Sequence, residues 1–445
     1  MNKEIMYAHN VLKAVYFDDA YSSIELNKLL KNSAIQTLNK NLITKIVYGV
    51  LEKDIYLSYV ISKFCSKKPE SDVELLLKIG AYILKFVNGV PNFACVNEIV
   101  ELCKKSCSKF VAGFVNAVLK KIDKSEISLP DKNNNFVGYL SVKYSYPEWF
   151  VKKLLKEYSH DFVEKLLEYS LTTLTHIRIV ESKIKIDEFI NKLNAKNIYY
   201  EASPISYGLY VDYAELIKNK ELESFYAVQG VPSIVVCENA LKYANNKVLD
   251  LCAAPGGKSV LIATKKSECK IISCDIHENR LKLIEEYANK YGVKNISTVL
   301  NDATILNNKW IDQFDLVLCD VPCSNLGVCN KKPDVLLRKK QNDVTSLVGV
   351  QKKILETSSK YVKKGGVLIY STCTIMPDEN EKILYEFLQR NNEFELIDLS
   401  SLGIETIIKQ KTLTFIPNIS KTEGFFIGGI IRKWQTYLII LKKNC

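Results

Sequence analysis

The sequence predicts a multidomain chain: an all-α N-terminal domain, a small α+β middle segment and a C-terminal Rossmann-like α/β domain. Apolar residues recur at helical spacing from Tyr7 to about Ile122. From Lys247 onward, short apolar runs alternate with helical stretches, the pattern of βαβ units and a parallel sheet. Three of these runs lead into loops rich in reactive or cofactor-binding residue types: Leu249-Asp250-Leu251-Cys252-Ala253-Ala254-Pro255-Gly256-Gly257-Lys258, Asp320-Val321-Pro322-Cys323 and Tyr370-Ser371-Thr372-Cys373-Thr374. In a parallel sheet, loops at the carboxyl ends of strands gather at one edge and build the ligand site.

In order along the chain, Val11-Leu12-Ala14-Val15-Phe17 and Leu42-Ile43-Ile46-Val47-Val50-Leu51 each make one apolar helix face. Asp72–Phe86, Asn97–Cys103 and Phe110–Ile122 continue the bundle, with Asn88-Gly89-Val90-Pro91 as a turn. The domain, residues 1–125, holds no obvious catalytic group and reads as a binding or docking module. The polar run Ser125–Asn135 predicts a linker, taken over 126–145. A small mixed segment spans 146–226, with helices over Pro147–Tyr158 and Ile186–Leu193 and a strand over His176–Val180. Gln229-Gly230-Val231-Pro232-Ser233 opens the last domain, 227–434, and a tail covers 435–445.

Within that domain the expected strands are Lys247–Leu251, Lys270–Cys274, Ile296–Leu300, Phe314–Cys319 and Gly366–Tyr370, with helices at Arg280–Tyr291 and Val350–Val362. Phe425–Ile431 is expected to close one edge of the sheet.

The chain has 445 residues, 47% hydrophobic and 25% charged, and room for two or three cores. Met1-Asn2-Lys3-Glu4-Ile5-Met6 has no apolar signal core, and no run approaches the roughly 18 apolar residues of a membrane span. A cytoplasmic location and no membrane partner are expected. Thirteen cysteines in a reducing compartment argue against a disulfide framework. The close pairs Cys103/Cys107 and Cys319/Cys323 lack zinc-knuckle spacing, so no metal is expected. Cys103 and Cys107 would share one helix face. The net charge of +11 suits a polyanionic partner, as it suits a lysine-rich proteome.

The Cys252–Lys258 loop lacks G-x-G-x-x-G and is too compact for a Walker A loop. Its paired glycines still let backbone approach a ligand closely. Asp275, Asp302 and Asp320 end successive strands. One strand-end acid is usually a turn or cap; three after a Gly-Gly loop predict a nucleoside-binding crevice. A cofactor without pyrophosphate needs no longer glycine loop, and S-adenosylmethionine is such a cofactor. A cofactor loop beside two thiols suggests covalent attack on a substrate that also receives a group.

Together these motifs, with Lys332-Pro333-Asp334, Gly365–Cys373 and Glu423-Gly424-Phe425-Phe426, resemble those of the Nol/Nop/Sun family of RNA cytosine-C5 methyltransferases. The helical region resembles the RNA-binding fold of the antitermination factor NusB, through Tyr48-Gly49-Val50, Val90-Pro91, Val96-Asn97-Glu98 and Phe114–Leu119. The resemblance implies a class I S-adenosylmethionine-dependent domain whose cofactor is held by Cys252, Ala253, Ala254, Pro255, Gly256, Gly257, Lys258, Asp275, Asp302 and Asp320. It implies Cys373 as nucleophile, Cys323 as the group assisting release and Asp320 at the cytosine edge or the cofactor. In DNA cytosine methyltransferases the Pro-Cys equivalent attacks instead. Lys258 would lower a thiol pKa or hold a phosphate. Departures from the family pattern are Val321 for alanine, Asn325 for glycine, Thr374 for serine, Val180 for asparagine and His9-Asn10 for a more basic start.

The implied substrate is 16S ribosomal RNA, in an unassembled or partly assembled small subunit, acted on by a monomer. Three rivals remain: a nicotinamide oxidoreductase, which the missing glycine fingerprint opposes; an RNA-binding module with a vestigial enzyme domain, which the intact thiols and acids oppose; and the same chemistry on transfer RNA, DNA or another ribosomal site.

Overall fold

The computed structural model describes residues 2–32 and 37–434. The expected 435–445 tail lies outside them. The described residues form two units.

The first unit takes in the chain up to Tyr169 together with Cys329–Gln341. Seven helices come first: Asn2–Phe17, Ser22–Leu30, Lys40–Glu52, Asp54–Ser62, Ser71–Phe86, Asn92–Ser106 and Lys109–Lys124. Their apolar faces bury Leu12, Ile46, Val47, Val50, Leu76, Ile79, Val115 and Leu119 in one core. Burial of each such side chain stabilises the bundle by about 2 kcal/mol before entropy is counted. Side-chain oxygens of Asn39 and Ser108 accept from the amides of Leu42 and Val111, satisfying donors that helix starts leave open. Cys107 sits just past the helix that carries Cys103, so the two do not share a helix face as expected.

The expected linker also needs correction. Its second half is the helix Phe136–Tyr144, capped by Asn135, whose side chain accepts from Gly138 N–H. The helices Glu148–Glu157 and His160–Glu168 follow within the same unit. Tyr146 stacks on Phe150 and donates to Asn330 Oδ1 at 2.9 Å, a packing role.

The short segment Cys329–Gln341 belongs to this helical unit although its sequence neighbours do not. Buried Asp334 accepts from Ser22 Oγ at 3.0 Å and Ser22 N–H at 3.5 Å, capping the second helix from a distant part of the chain. Arg338 donates to the carbonyls of Asp19 and Ala20 and lies over the Tyr21 ring.

The second unit holds two sheets. The strands β1 (Thr175–Ile179), β2 (Tyr200–Ala202), β3 (Gly208–Val211) and β4 (Tyr226–Val228) form an antiparallel sheet in the order β2-β3-β1-β4. The helix Ile186–Ala195 packs Phe189 and Leu193 into its core.

The larger sheet contains β5 (Lys247–Asp250), β6 (Lys270–Asp275), β7 (Ile296–Leu300), β8 (Phe314–Asp320), β9 (Val362–Thr372), β10 (Phe394–Leu396), β11 (Ile407–Lys409), β12 (Thr412–Phe415) and β13 (Phe425–Arg432). Its order is β11-β12-β13-β9-β8-β5-β6-β7, with β10 also paired to β13. β5 to β9 are parallel, as their helical crossovers require. The chain reverses direction across the sheet between β5 and β8, the switch point at which a ligand crevice opens.

Two expectations change here. The strand at Phe425 does not close the edge: it pairs with β9 on one side and β12 on the other. Its uninterrupted apolar run is buried, as suits an interior strand. The helix expected over Val350–Val362 runs Gln341–Ser359, and Val362 already begins β9.

The distant cap gives a test in the first unit. Asp334→Ala leaves Ser22 uncapped, and should lower the urea stability of the protein by about 1–2 kcal/mol. It should also speed tryptic cleavage after Lys331 and Lys339. Unchanged stability and cleavage would contradict the bond's importance.

Candidate active site

Every strand-end group expected at the site lies in the second unit, along the carboxyl edge of the parallel strands. β5 ends in Asp250, which is buried. Its Oδ2 accepts from Ser259 Oγ at 2.6 Å, and Ser273 Oγ supports Ser259 at 2.8 Å. Oδ1 is buried and makes no hydrogen bond of ordinary geometry among the described residues; the Cys252 amide is the donor that eases it. Burial pushes the Asp250 carboxyl up to about 6, against the help of Ser259 and Lys258.

The loop then turns at Gly256, where φ is +106° and a Cβ would lie 3.2 Å from the Ile284 backbone. A glycine is therefore required, and the helix Gly257–Lys265 starts directly after it. β6 ends in Asp275. Its carboxylate meets Arg280 Nη1 at 3.1 Å and accepts from His277 N–H at 3.1 Å. Arg280 Nη2 also donates to Ala254 O at 2.9 Å, tying the second strand-end acid to the glycine loop. Asp302, just past β7, accepts from the Thr304 hydroxyl and amide at 2.7 and 2.8 Å. Those bonds hold its carboxyl below the usual range.

The two thiol loops meet because β8 and β9 are paired in parallel, Asp320 opposite Ser371. Val321 N–H donates to Ser371 O at 3.1 Å and Gly327 N–H to Cys373 O at 3.0 Å. Gly424 N–H donates to Gly327 O at 2.8 Å, and the backbones approach so closely that a Cβ on Gly327 would lie 2.1 Å from Gly424 O. The sulfurs of Cys323 and Cys373 stand 3.2 Å apart. Cys323 is buried and Cys373 half-buried. Hydrogen bonding to Cys373, burial and the nearby Glu379 charge together push the Cys323 thiol well above its ordinary pKa.

Asp320 accepts from Lys258 Nζ at 2.5 Å and Ser371 Oγ at 2.8 Å. Burial works against the Lys258 ammonium, and the Asp320 carboxylate outweighs it, so the net shift is upward. Lys258 is thus paired with the acid at the end of β8.

Sequence reasoning missed the groups beneath the thiols. Glu379 is fully buried: Oε1 accepts from Ser324 N–H at 2.8 Å and Gln351 Nε2 at 3.0 Å, and Oε2 from Ser324 Oγ at 2.5 Å. Gln351 also donates to Pro322 O at 2.9 Å, so both residues brace the Cys323 loop. Asn380 Nδ2 donates to Thr374 O at 3.0 Å and braces the other. Nothing in the spacing of Glu379 or Gln351 marks them. Asn325 was visible only as a departure from glycine. It occupies φ +61° and its Oδ1 accepts from Cys373 Sγ at 2.8 Å.

Residues 239–431 match the family model for the 16S rRNA methyltransferase RsmB/F, and residues 4–124 match the NusB family. The chain is similar to the probable ribosomal RNA small subunit methyltransferase B of Bacillus subtilis (strain 168): 31% identity over 94% of this chain and 96% of that protein. It is also similar to ribosomal RNA small subunit methyltransferase B of Photorhabdus laumondii, at 28% identity over 92% and 94% of the two chains. Its fold is like that in the crystal structure of PH0851, with TM-score 0.81, 22% identity and coverage of 97% and 99%. The structure of NSun6 from Pyrococcus horikoshii with SFG matches at TM-score 0.57 and 22% identity, over 65% of this chain and 99% of that one.

Asp250 yields a pH-dependent test. Its folded pKa lies above the ordinary 3.8, so the ionised form disfavours folding. Stability from the protonated form is present below the unfolded value and is lost as pH rises through about 6. Asp250→Asn should then stabilise the protein at pH 7.5, by at most roughly 3 kcal/mol. The gain should vanish below pH 4. A urea titration at both pH values checks it, and an equal difference at both would contradict the assignment.

Proposed function

Because the chain belongs to the ribosomal RNA small subunit methyltransferase B family, we propose that it methylates carbon 5 of a specific cytosine in 16S ribosomal RNA. The methyl donor is S-adenosylmethionine, and catalysis runs through a transient bond between Cys373 and carbon 6 of the base. The observation that carries this reading is the pair of sulfurs 3.2 Å apart, beside the Asp320–Lys258 pair, at the carboxyl edge of the parallel strands.

The residues present fit the donor. Gly256 turns the loop at φ +106° hard against Ile284, and the acids ending β6 and β8 and just past β7 share one edge of the sheet with it. The Cys252–Lys258 loop with Asp275, Asp302 and Asp320 would hold it. When bound, S-adenosylmethionine supplies an electrophilic methyl group.

The remaining chemistry falls to the chain. Carbon 5 of cytosine is a poor nucleophile. Cys373 gives its proton to solvent and its sulfur adds to carbon 6, which places an electron pair at carbon 5 for methyl capture. The carbon-5 proton then passes to solvent, its electron pair restores the ring double bond and expels the sulfur, and the departing thiolate takes up a proton to regenerate the thiol. Asp320, its carboxylate held by Lys258 and Ser371, would accept from the amino edge of the base. Cys323, pushed up by its surroundings, stays a neutral thiol. That state suits proton movement during release better than attack, and it supports Cys373 as the nucleophile.

The base must leave its stack to reach the sulfurs. Free or partly assembled small-subunit RNA in the cytoplasm, met by a monomer, offers such a base. The NusB-like domain would hold the RNA by phosphate and shape contacts.

Cys373→Ala should abolish transfer of radiolabelled methyl to a 16S transcript while cofactor affinity stays within twofold; normal turnover would refute the nucleophile. Cys323→Ala should accumulate a denaturant-resistant protein–RNA adduct under turnover conditions, and its absence would assign release elsewhere. Bisulfite sequencing of ribosomal RNA from a deletion strain should show one cytosine losing its methyl mark. An unchanged pattern would overturn the proposed substrate.

A further inference from the structure

We propose that Asn325 is a positioning residue for Cys373, its carboxamide oxygen seating the sulfhydryl beside Cys323 before the base arrives. The inference rests on the reading of Cys373 as nucleophile and adds to it the residue that aims the sulfur.

Two features of Asn325 bear on it. The first is backbone conformation: φ +61° lies in the left-handed region, which asparagine tolerates better than most side chains. The backbone thus admits a carboxamide here, and its contacts say what the carboxamide does. The second is contact. Oδ1 accepts from Cys373 Sγ at 2.8 Å, while Nδ2 donates to the Cys323 carbonyl at 3.3 Å. One side chain thus spans from the backbone of one thiol loop to the sulfur of the other. The backbone bonds between the loops fix Cα positions, but a thiol still rotates about its Cα–Cβ bond. With the Cys323 sulfur on its other contact, the Asn325 carboxamide oxygen restrains that rotation.

The ionisable neighbours on the surrounding elements are Cys323 and Asp320 on the loop after β8, Lys258 at the start of its helix, and Glu379 beneath Ser324. None of them changes in the variants below, so differences between variants report on position 325.

The test compares Asn325→Gly and Asn325→Asp in the full-length protein. Iodoacetamide labelling of Cys373 is followed against pH by peptide mass spectrometry, beside steady-state methyl transfer. Glycine removes the acceptor that holds the sulfhydryl proton, so the labelling midpoint should fall by about one pH unit. kcat should drop about tenfold with KM for RNA unchanged, because orientation is lost and binding is not. Aspartate keeps the shape but sets a negative charge beside the sulfur, so its midpoint should rise by about one pH unit. Opposite shifts in the two variants support the proposal. Coincident profiles, or shifts in the same direction, overturn it and leave Asn325 as a turn residue. If the glycine variant fails to fold, the near-isosteric aspartate variant decides alone. Labelling reads the sulfur directly, so normal methyl transfer by Cys373→Ala would remove the nucleophile reading without altering this result.

Discussion

The parallel pairing of β8 with β9 is the constraint on which the site depends. Each strand delivers one thiol loop, and their register sets Asp320 against Ser371. Bonds beyond the strand ends, from Val321 to Ser371 and from Gly327 to Cys373, extend that register into the loops. The 3.2 Å separation of the sulfurs follows from backbone pairing, and side-chain packing only refines it. The covering crossover helix and the interior position of β9 keep water from competing for these amides.

On that frame, charge is placed in layers. The Asp320–Lys258 pair lies outermost, with the Asp320 side chain 29% exposed and Lys258 12%. Beneath it lie the thiols. Deeper still, Glu379 spends both oxygens on Ser324 and Gln351, so its charge is absorbed by hydrogen bonds to the Cys323 loop. A carboxylate so placed raises the adjacent Cys323 thiol without offering a base to it. Position in the fold thus governs the protonation of the Cys323 sulfur.

Much of this was legible in the sequence because it is local. A short apolar run ending in an acid or a thiol reads as a strand delivering a group to the sheet edge, and β5, β6, β7 and β8 appear within a residue of their expected bounds. What escaped was non-local. Phe425 was placed at an edge because the short strands β11 and β12 carry too few residues to show alternation. Asn133-Asn134-Asn135 reads equally as linker or as helix cap, and the helix at Phe136 made it a cap. Lys332-Pro333-Asp334 stood beside the thiol loop in sequence, yet Asp334 spends its carboxylate on Ser22, more than three hundred residues away. Glu379 and Gln351 are ordinary residues by type, and only burial beneath Ser324 gives them a task.

Gly327 and Gly424 meet through main chain alone. Elsewhere alanine is the mildest replacement a protein engineer can make; at these two codons it is among the harshest, since a single methyl must push apart the segments bearing both reactive groups. A mutagenesis library aimed at new target nucleotides should leave this pair untouched.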